Sequence, residues 1–130
     1  MTKDLAKLTA GQVERELAQS INALYRSQLN HQPARVNCQL SSNRLTVVIE
    51  DAVTQPEKLL SDSGNSALVE QIRLRLEEII QPQMRNLIED ILGITVLDVL
   101  SDVTIDTRRG GMIVILESAP NFRGSQAVTR

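Results

Sequence analysis

The stretch from Ile91 to Leu116 constrains the fold more than any other part of the chain. Its sequence, ILGITVLDVLSDVTIDTRRGGMIVIL, contains a glycine, a long segment that alternates apolar and polar residues, a turn and a short apolar segment. Glycine often ends a helix because it adopts the left-handed conformation at little steric cost, and a period of two is typical of a β-strand. The stretch therefore predicts a helix that ends at Gly93 and a β-hairpin after it. The strand face that we expect to point to the core contains Thr95, Leu97, Val99, Ser101, Val103 and Ile105.

The first half of the chain predicts the same order of a helix followed by a hairpin. Apolar residues at three- and four-residue steps predict an amphipathic helix near Thr9 to Leu29, and these residues are Val13, Leu17, Ile21 and Leu24. After Pro33 the period changes to two, and the turn formers Ser41 to Asn43 separate two alternating segments. The second segment, Leu45 to Ile49, is apolar on nearly both faces, whereas the first is polar on one face, so we expect the second at the centre of a sheet and the first at the edge.

The middle of the chain predicts a short helix followed by a long one. The short helix is expected to begin at Thr54-Gln55-Pro56-Glu57, which has the pattern of a capping box with proline in the first turn. Pro82 lies inside the long helix, and because proline removes a backbone hydrogen bond, we expect a kink or a break near Ile80 to Pro82. The apolar stripe of the long helix contains Val69, Ile72, Leu76, Ile79, Ile80, Met84, Leu87, Ile88 and Ile91.

The stripe of this long helix is wide for a helix that covers a four-stranded sheet. Part of it, together with Leu74 on a different face, predicts contact with a second copy or another protein, and simple core packing is the alternative. We therefore expect a homo-oligomer, with a dimer as the leading form. Arg73 is spaced to pair with Glu70 and Glu77, and we expect these pairs on the solvent side of the helix.

These segments together predict a two-layer α+β domain. The order helix, hairpin, helix, hairpin predicts a four-stranded, mainly antiparallel sheet with helices on one face. A chain of 130 residues is long enough to form a core without a metal or a disulfide. We expect a single domain over residues 1–117, with a core from about 9 to 117. Residues 118–130 have no period and predict a flexible C-terminal tail.

Composition argues against several partners and environments. The formal net charge is -2, and Tyr25 and Phe122 are the only aromatic residues, so the chain predicts no nucleic-acid binding. Cys38 is the only cysteine, so no intramolecular disulfide is possible and a reducing cytoplasm is expected. No segment approaches the ~20 apolar residues that a spanning helix needs. We therefore expect no direct insertion into a membrane.

No group of residues predicts catalysis or a cofactor. His31 and Cys38 are the only histidine and cysteine, which is too few for a closed zinc site. No glycine-rich fingerprint leads from a strand into a helix, and no motif connects His31 to a serine nucleophile. We predict a non-enzymatic protein with no metal and no cofactor; an enzyme would require a site assembled from several subunits.

Two groups of charged residues near the last hairpin are the candidate binding residues. Asp98, Asp102 and Asp106 share one face of a strand, where a rise of ~3.3 Å per residue separates neighbours by ~13 Å, too far for one ion or an acid/base pair. We expect them to solubilise an exposed face or to contact a partner. The segment Arg108-Arg109-Gly110-Gly111 could hold an anion between two guanidinium groups and glycine amides. A plain hairpin loop is the simpler alternative for this segment.

A set of short segments between roughly Thr9 and Glu117 forms a recognisable combination. These segments are Pro33, Arg44–Glu50 (RLTVVIE), Thr54–Leu60 (TQPEKLL), Gly93–Val96 (GITV), Ser101-Asp102 and Ile113–Leu116 (IVIL). The combination resembles the MpsC-like family of small bacterial proteins. The chain departs from the family at Gln32, where the family usually has glycine, and at Ile115, where it usually has an aromatic residue.

The resemblance implies a function beside a membrane. The family is associated with a membrane-potential-generating, cation-linked system that is also connected with inorganic-carbon uptake, and no catalytic residues come with the resemblance. We predict a soluble, cytoplasmic accessory or regulatory protein that acts through a protein-binding surface and lies at the inner membrane through a partner. The expected partner is a membrane transport complex. The alternative prediction is a small-ligand or anion sensor that uses the loop from Arg108 to Gly111.

Overall fold

The computed structural model describes residues 5–124 and has the predicted α+β architecture. A short 3-10 helix at Leu5–Lys7 precedes helix α1 (Ala10–Leu29), which leads into strands β1 (Arg35–Ser41) and β2 (Arg44–Glu50). Helices α2 (Gln55–Asp62) and α3 (Ser66–Leu92) follow, and the fold ends with strands β3 (Val96–Thr104) and β4 (Arg109–Leu116). The predicted order of helix, hairpin, helix, hairpin is confirmed.

The four strands form one antiparallel sheet in the order β1-β2-β4-β3. Pairing of β2 with β4 joins the two hairpins, so these two strands are central and β1 and β3 are the edges. The central position predicted for the second strand and the edge position predicted for the first are therefore confirmed. A continuous apolar strand can be central because both of its neighbours are strands and one of its faces is covered by helices.

The helices cover one face of the sheet, which we call the inner face. Aliphatic side chains from α1 and α3 and from the inner face form the core, because the chain has few aromatic residues to contribute. Members of the core with no exposed surface are Val13, Leu17, Ile21, Leu45, Val47, Ala52, Val53, Ile88, Val114 and Leu116. Burial of apolar surface at about 25 cal/mol per Å² is the main force that holds the two layers together.

The face prediction for β3 is wrong at the beginning of the strand. The register of β3 against β4 shifts between Val96 and Asp98, as it does at a β-bulge. Val96 is consequently buried in the core and Leu97 is 56% exposed, whereas Val99 follows the predicted core face. Alternation in the sequence does not reveal a bulge, because one extra residue moves every following side chain to the other face.

Helix α3 is continuous through Pro82, so the predicted break does not occur. Pro82 lies on the exposed side of the helix, where water can bind the carbonyl group that the missing proline N–H leaves free. The helix ends at Gly93 as predicted, with a left-handed φ of 66°. Its exposed apolar side chains are Leu68, Leu74 and Ile79.

The end of the described chain packs against its beginning. The Arg123 amide donates a hydrogen bond to the Leu8 carbonyl at 2.7 Å, and Phe122 packs against the core. The tail predicted to be flexible, residues 118–130, is described up to residue 124, and its remainder lies outside the described residues. Flexibility of this tail stays a prediction.

Candidate functional site

A cleft opens between helices α2 and α3 and the end of strand β3. Its volume is about 550 Å³, within the range of roughly 300–1,000 Å³ that is typical of binding sites in proteins. Glu70, Arg73 and Leu74 of α3 form one wall, and Asp102 and Asp106 lie on the opposite wall. The structure therefore brings two of the three candidate aspartates to one cleft, together with residues of a helix that precedes them by about thirty positions.

The carboxylates of this cleft are open to solvent, whereas its arginine is not. Glu70, Asp102 and Asp106 are exposed residues. The guanidinium group of Arg73 is turned inward, with Nη2 donating to Oε1 of Glu57 at 2.8 Å and Nε donating to Oε2 at 2.9 Å. Because the positive charge is neutralised inside the protein, the cleft presents a negative surface to solvent.

Arg73 and Glu57 form a buried ion pair that joins α3 to α2. Glu57 is 1% exposed and Arg73 is 8% exposed. Oε1 of Glu57 also accepts hydrogen bonds from the Thr54 amide at 3.0 Å and the Thr54 hydroxyl at 2.8 Å. Nη2 of Arg73 also donates to the Ala52 carbonyl at 3.0 Å. These hydrogen bonds offset the cost of removing two charges from water, and they hold the helical wall of the cleft in one geometry.

The prediction that Arg73 lies on the solvent side of α3 is wrong. The predicted pair with Glu77 is present at 3.6 Å, but the contact with Glu57 is shorter at 2.8 Å. A signal for the burial of Arg73 exists in the sequence, because this residue follows Val69 by four positions and so lies on the apolar stripe. Glu57 carries no comparable signal, since its partner belongs to another helix.

Tyr25 of α1 lies close to the same ion pair. Burial raises the pKa of its hydroxyl from 10.0 to about 12, and the positive charge of Arg73 opposes part of this shift. The hydroxyl group therefore stays neutral at physiological pH, beside the charged pair.

His31 and Cys38 make separate local contacts. Nε2 of His31 lies 2.7 Å from the Asp51 carbonyl oxygen. Cys38 is buried in the core, and burial raises the pKa of its thiol to about 12, which makes it a poor nucleophile. Between residues 5 and 124, no three side chains of His, Cys, Asp and Glu come together in a group that could hold a metal ion.

The two candidate arginines line different cavities. Arg108 lies in the turn between β3 and β4, with a left-handed φ of 62°, and lines a small cavity of about 100 Å³ with Asp62 and Asp106. Arg109 is the first residue of β4, and its Nε donates to the two carboxylate oxygens of Glu50 at 2.9 and 3.1 Å. The two guanidinium groups therefore do not form one fork for an anion.

Gly110 and Gly111 lie in strand β4, not in the connecting loop where the sequence places them. Both positions pair with β2 and β3, so their backbone belongs to the sheet. Gly110 is on the inner face, where an added Cβ would lie 3.2 Å from the Cβ of Ala52, and glycine permits this close approach. Gly111 is on the outer face. Anion binding by the segment from Arg108 to Gly111 stays a prediction.

The three candidate aspartates are divided between two regions. Asp98 lies at the bulge of β3, opposite Ile115 and away from the cleft. Asp102 lines the cleft, and its Oδ1 accepts a hydrogen bond from the Val103 amide at 2.8 Å. The sequence singles out Leu74 for contact with another protein, but nothing local connects Glu70 or Leu74 with a strand so far along the chain.

The match with a protein family extends over most of the chain. A family model described as "Na+-translocating membrane potential-generating system (MpsC)" matches residues 9–118. This match confirms the resemblance carried by the segments between Thr9 and Glu117. No curated protein and no solved structure matches the chain. In the part of the chain that the structure describes, no helix has the length and apolar character to cross a membrane.

Proposed function

The chain belongs to the MpsC family, and from this membership we propose that it is a non-enzymatic accessory or regulatory protein of a membrane system that translocates sodium ions. The family description names a Na+-translocating, membrane potential-generating system. The observation that supports a binding role is the cleft of about 550 Å³ between α2, α3 and β3. Its helical wall is fixed by the buried pair of Arg73 and Glu57, while its carboxylates remain exposed.

The charge of the cleft supports a basic partner segment. Glu70, Asp102 and Asp106 line the same cleft as the apolar side chain of Leu74, and negative patches steer and orient positively charged partners. The cytoplasmic loops of membrane proteins carry an excess of lysine and arginine. The partner is therefore a basic cytoplasmic segment of a membrane component, and this chain lies in the cytoplasm at the inner membrane.

A charge-neutral variant of the cleft, Glu70→Gln/Asp106→Asn, tests this function. Tagged full-length protein is purified from native membranes, and the components that co-purify are identified by mass spectrometry. We expect the wild type to recover components of the sodium-translocating system, with a yield that falls as salt is raised, because salt screens exposed charges. The variant should recover several-fold less, since it loses two charges from the cleft.

The matched control is Asp90→Asn/Glu117→Gln. It removes two exposed carboxylates that do not line the cleft, and we expect it to recover as much of the membrane components as the wild type does. Circular dichroism verifies that all three proteins are folded. Recovery of no component of the system by folded wild type, or equal recovery by the cleft and control variants, would overturn the proposal.

A small-ligand or anion sensor that uses the segment from Arg108 to Gly111 is the second candidate, and the cavity of about 100 Å³ beside Arg108 favours it. The local charge opposes an anion, however, because Asp62 and Asp106 line the cavity beside Arg108. Lys58 lines the same cavity, but its Nζ lies 2.9 Å from Oδ1 of Asp51. For a sensor, inorganic phosphate should raise the melting temperature of the wild type and not that of Arg108→Ala/Arg109→Ala. For a protein that acts by docking, phosphate should raise neither.

A further inference from the structure

The outer face of the sheet, opposite the helices, carries apolar side chains between charged ones. Strand register places Arg44, Thr46 and Val48 of β2 beside Ile115, Ile113 and Gly111 of β4. Beyond these pairs, Glu50 of β2 bonds to Arg109 of β4, and Leu100 of β3 lies opposite Ile113. Leu100 is 55% exposed and Ile113 is 44% exposed. An exposed apolar surface with a charged rim is typical of an interaction site.

An open depression lies within this face at Gly111. The depression has a volume of about 650 Å³, and Thr46, Leu100 and Ile113 are among the residues that line it. A Cβ added at Gly111 would meet the Val47 carbonyl oxygen at 3.7 Å, which is an ordinary contact. The fold of one chain therefore does not require glycine here, although glycine weakens a strand. A glycine inside a strand often marks the close approach of another molecule.

The two central strands of the outer face, β2 and β4, are complementary to a second copy of themselves. Two copies can stack their outer faces about a two-fold axis that lies midway between the two sheets. This axis runs perpendicular to the strands and passes over the paired residues Val47 and Met112. On β2, this axis places Arg44 opposite the partner's Glu50, because both residues lie three positions from Val47. On β4, it places Ile113 opposite the partner's Gly111, because both lie one position from Met112. One axis thus pairs opposite charges on β2 and places a branched side chain over a depression on β4, whereas on β3 it sets Leu100 opposite the partner's Asp102.

We propose that the protein forms a homodimer in which the outer sheet faces of two copies pack against each other about this axis. Two-fold symmetry makes each of these contacts twice. Aligned sheets pack ~10 Å apart with their strands at about 30°, so the correspondence is closest near the axis, where Ile113 enters the partner's depression. The proposal does not depend on the proposed function. It uses a different surface from the apolar stripe of α3, on which the sequence-based prediction of a homo-oligomer rests.

Sedimentation equilibrium of the full chain gives the first test. We expect the wild type to have twice the mass of one chain and Ile113→Lys to have the mass of a monomer. Because Ile113 is exposed in the single chain, the variant should fold, and its melting curve verifies this. The matched control is Ile79→Lys on α3, where the wild-type side chain is 57% exposed. It should remain a dimer.

The variant Gly111→Val tests the depression without introducing a charge. Valine suits a strand, and its Cβ would make only an ordinary contact, 3.7 Å from the Val47 carbonyl oxygen, so the variant should melt at or above the temperature of the monomeric Ile113→Lys protein. The valine side chain would occupy the space that Ile113 of the partner subunit enters. We expect the dissociation constant of the dimer to rise by about tenfold or more.

Charge reversal tests the axis itself. Arg44→Glu would repel the partner's Glu50, and Glu50→Lys would repel the partner's Arg44, so each variant alone should dimerise about tenfold more weakly. In an equal mixture of the two variants, the mixed dimer has opposite charges at both contacts, and the dimer mass should return. Glu50→Lys also loses the bond to its own Arg109, so each variant is melted separately to verify its fold.

Three outcomes would overturn the proposal. The first is a wild type that stays monomeric over the whole concentration range. The second is an Ile113→Lys protein that dimerises as the wild type does, or an Ile79→Lys protein that becomes monomeric instead. The third is a mixture of the two charge variants that does not regain the dimer mass, which would exclude this axis.

Discussion

Arg73 connects three parts of the molecule through one guanidinium group. Its nitrogens contact the carboxylate of Glu57 in α2, the carbonyl of Ala52 after β2 and the carboxylate of Glu77 in α3. Removing one member of a buried pair leaves the other charge without a partner, and this costs more than the intact pair contributes. Single residues of this kind determine how the cleft is built.

The variant Arg73→Met tests the buried pair. We expect it to lower the free energy of unfolding by about 3–5 kcal/mol, because Glu57 would stay buried without its partner. Urea unfolding followed by circular dichroism measures the change. The control Arg75→Met removes an arginine whose side chain is 81% exposed and lies 3.8 Å from Glu78, so it should cost about 0.5 kcal/mol or less. Equal losses in the two variants would contradict the role assigned to Arg73.

The raised pKa of Tyr25 predicts a loss of stability at alkaline pH. Burial raises this pKa from 10.0 to about 12, so the folded chain favours the neutral hydroxyl. The resulting stabilisation of the folded chain is complete below the pKa that Tyr25 has in the unfolded chain. It is lost as the pH rises from about 10 towards about 12. Tyr25 is the only tyrosine and the chain has no tryptophan, so tyrosinate absorbance reports this residue alone. We expect the pH titration of this absorbance to have its midpoint near pH 12 in native protein and near pH 10 in urea. A midpoint near pH 10 in native protein would show that the hydroxyl is accessible to water.

The ends of helices and strands were predictable where local chemistry determines them. Helix α1 begins after Thr9, whose hydroxyl accepts from the Gln12 amide at 3.2 Å while the Gln12 side chain accepts from the Thr9 amide at 2.9 Å. Helix α3 ends at a left-handed Gly93. The bulge after Val96 and the unbroken helix at Pro82 were not predictable, because both depend on which side of the element the rest of the fold covers.

Two glycine variants should change the stability of helices in opposite directions. Gly93→Ala should lower the free energy of unfolding by about 1–2 kcal/mol, because a side chain is strained at the left-handed φ of 66°. Gly11→Ala should raise it by roughly 0.5–1 kcal/mol, since Gly11 lies in the first turn of α1 with nothing within 4 Å of an added Cβ. Urea unfolding of both proteins measures the difference. An unchanged Gly93→Ala would contradict the left-handed helix end.

At the scale of the whole molecule, the two layers were predictable and the cleft was not. Periodicity reports which side of each element is buried, and this is enough to predict a sheet with helices on one face. The cleft depends on the meeting of α3 with the turn after β3, and no local pattern connects Glu70 with Asp106. The same reason explains why the sequence singled out Asp102 and Asp106, and separately Leu74, without placing them in one cleft.

The strand order β1-β2-β4-β3 places the last strand of the chain between two earlier ones. A ribosome therefore releases the first hairpin and all three helices before the segment that pairs with the inner edge of β2 has been made. During this interval the nascent chain carries an open, apolar strand edge, and such edges recruit other chains into aggregates. An mRNA truncated before the codon for Arg109 would yield a polypeptide in which this strand edge stays open. Completion of β4, which is eight residues long, therefore matters more for covering this exposed edge than completion of any helix does.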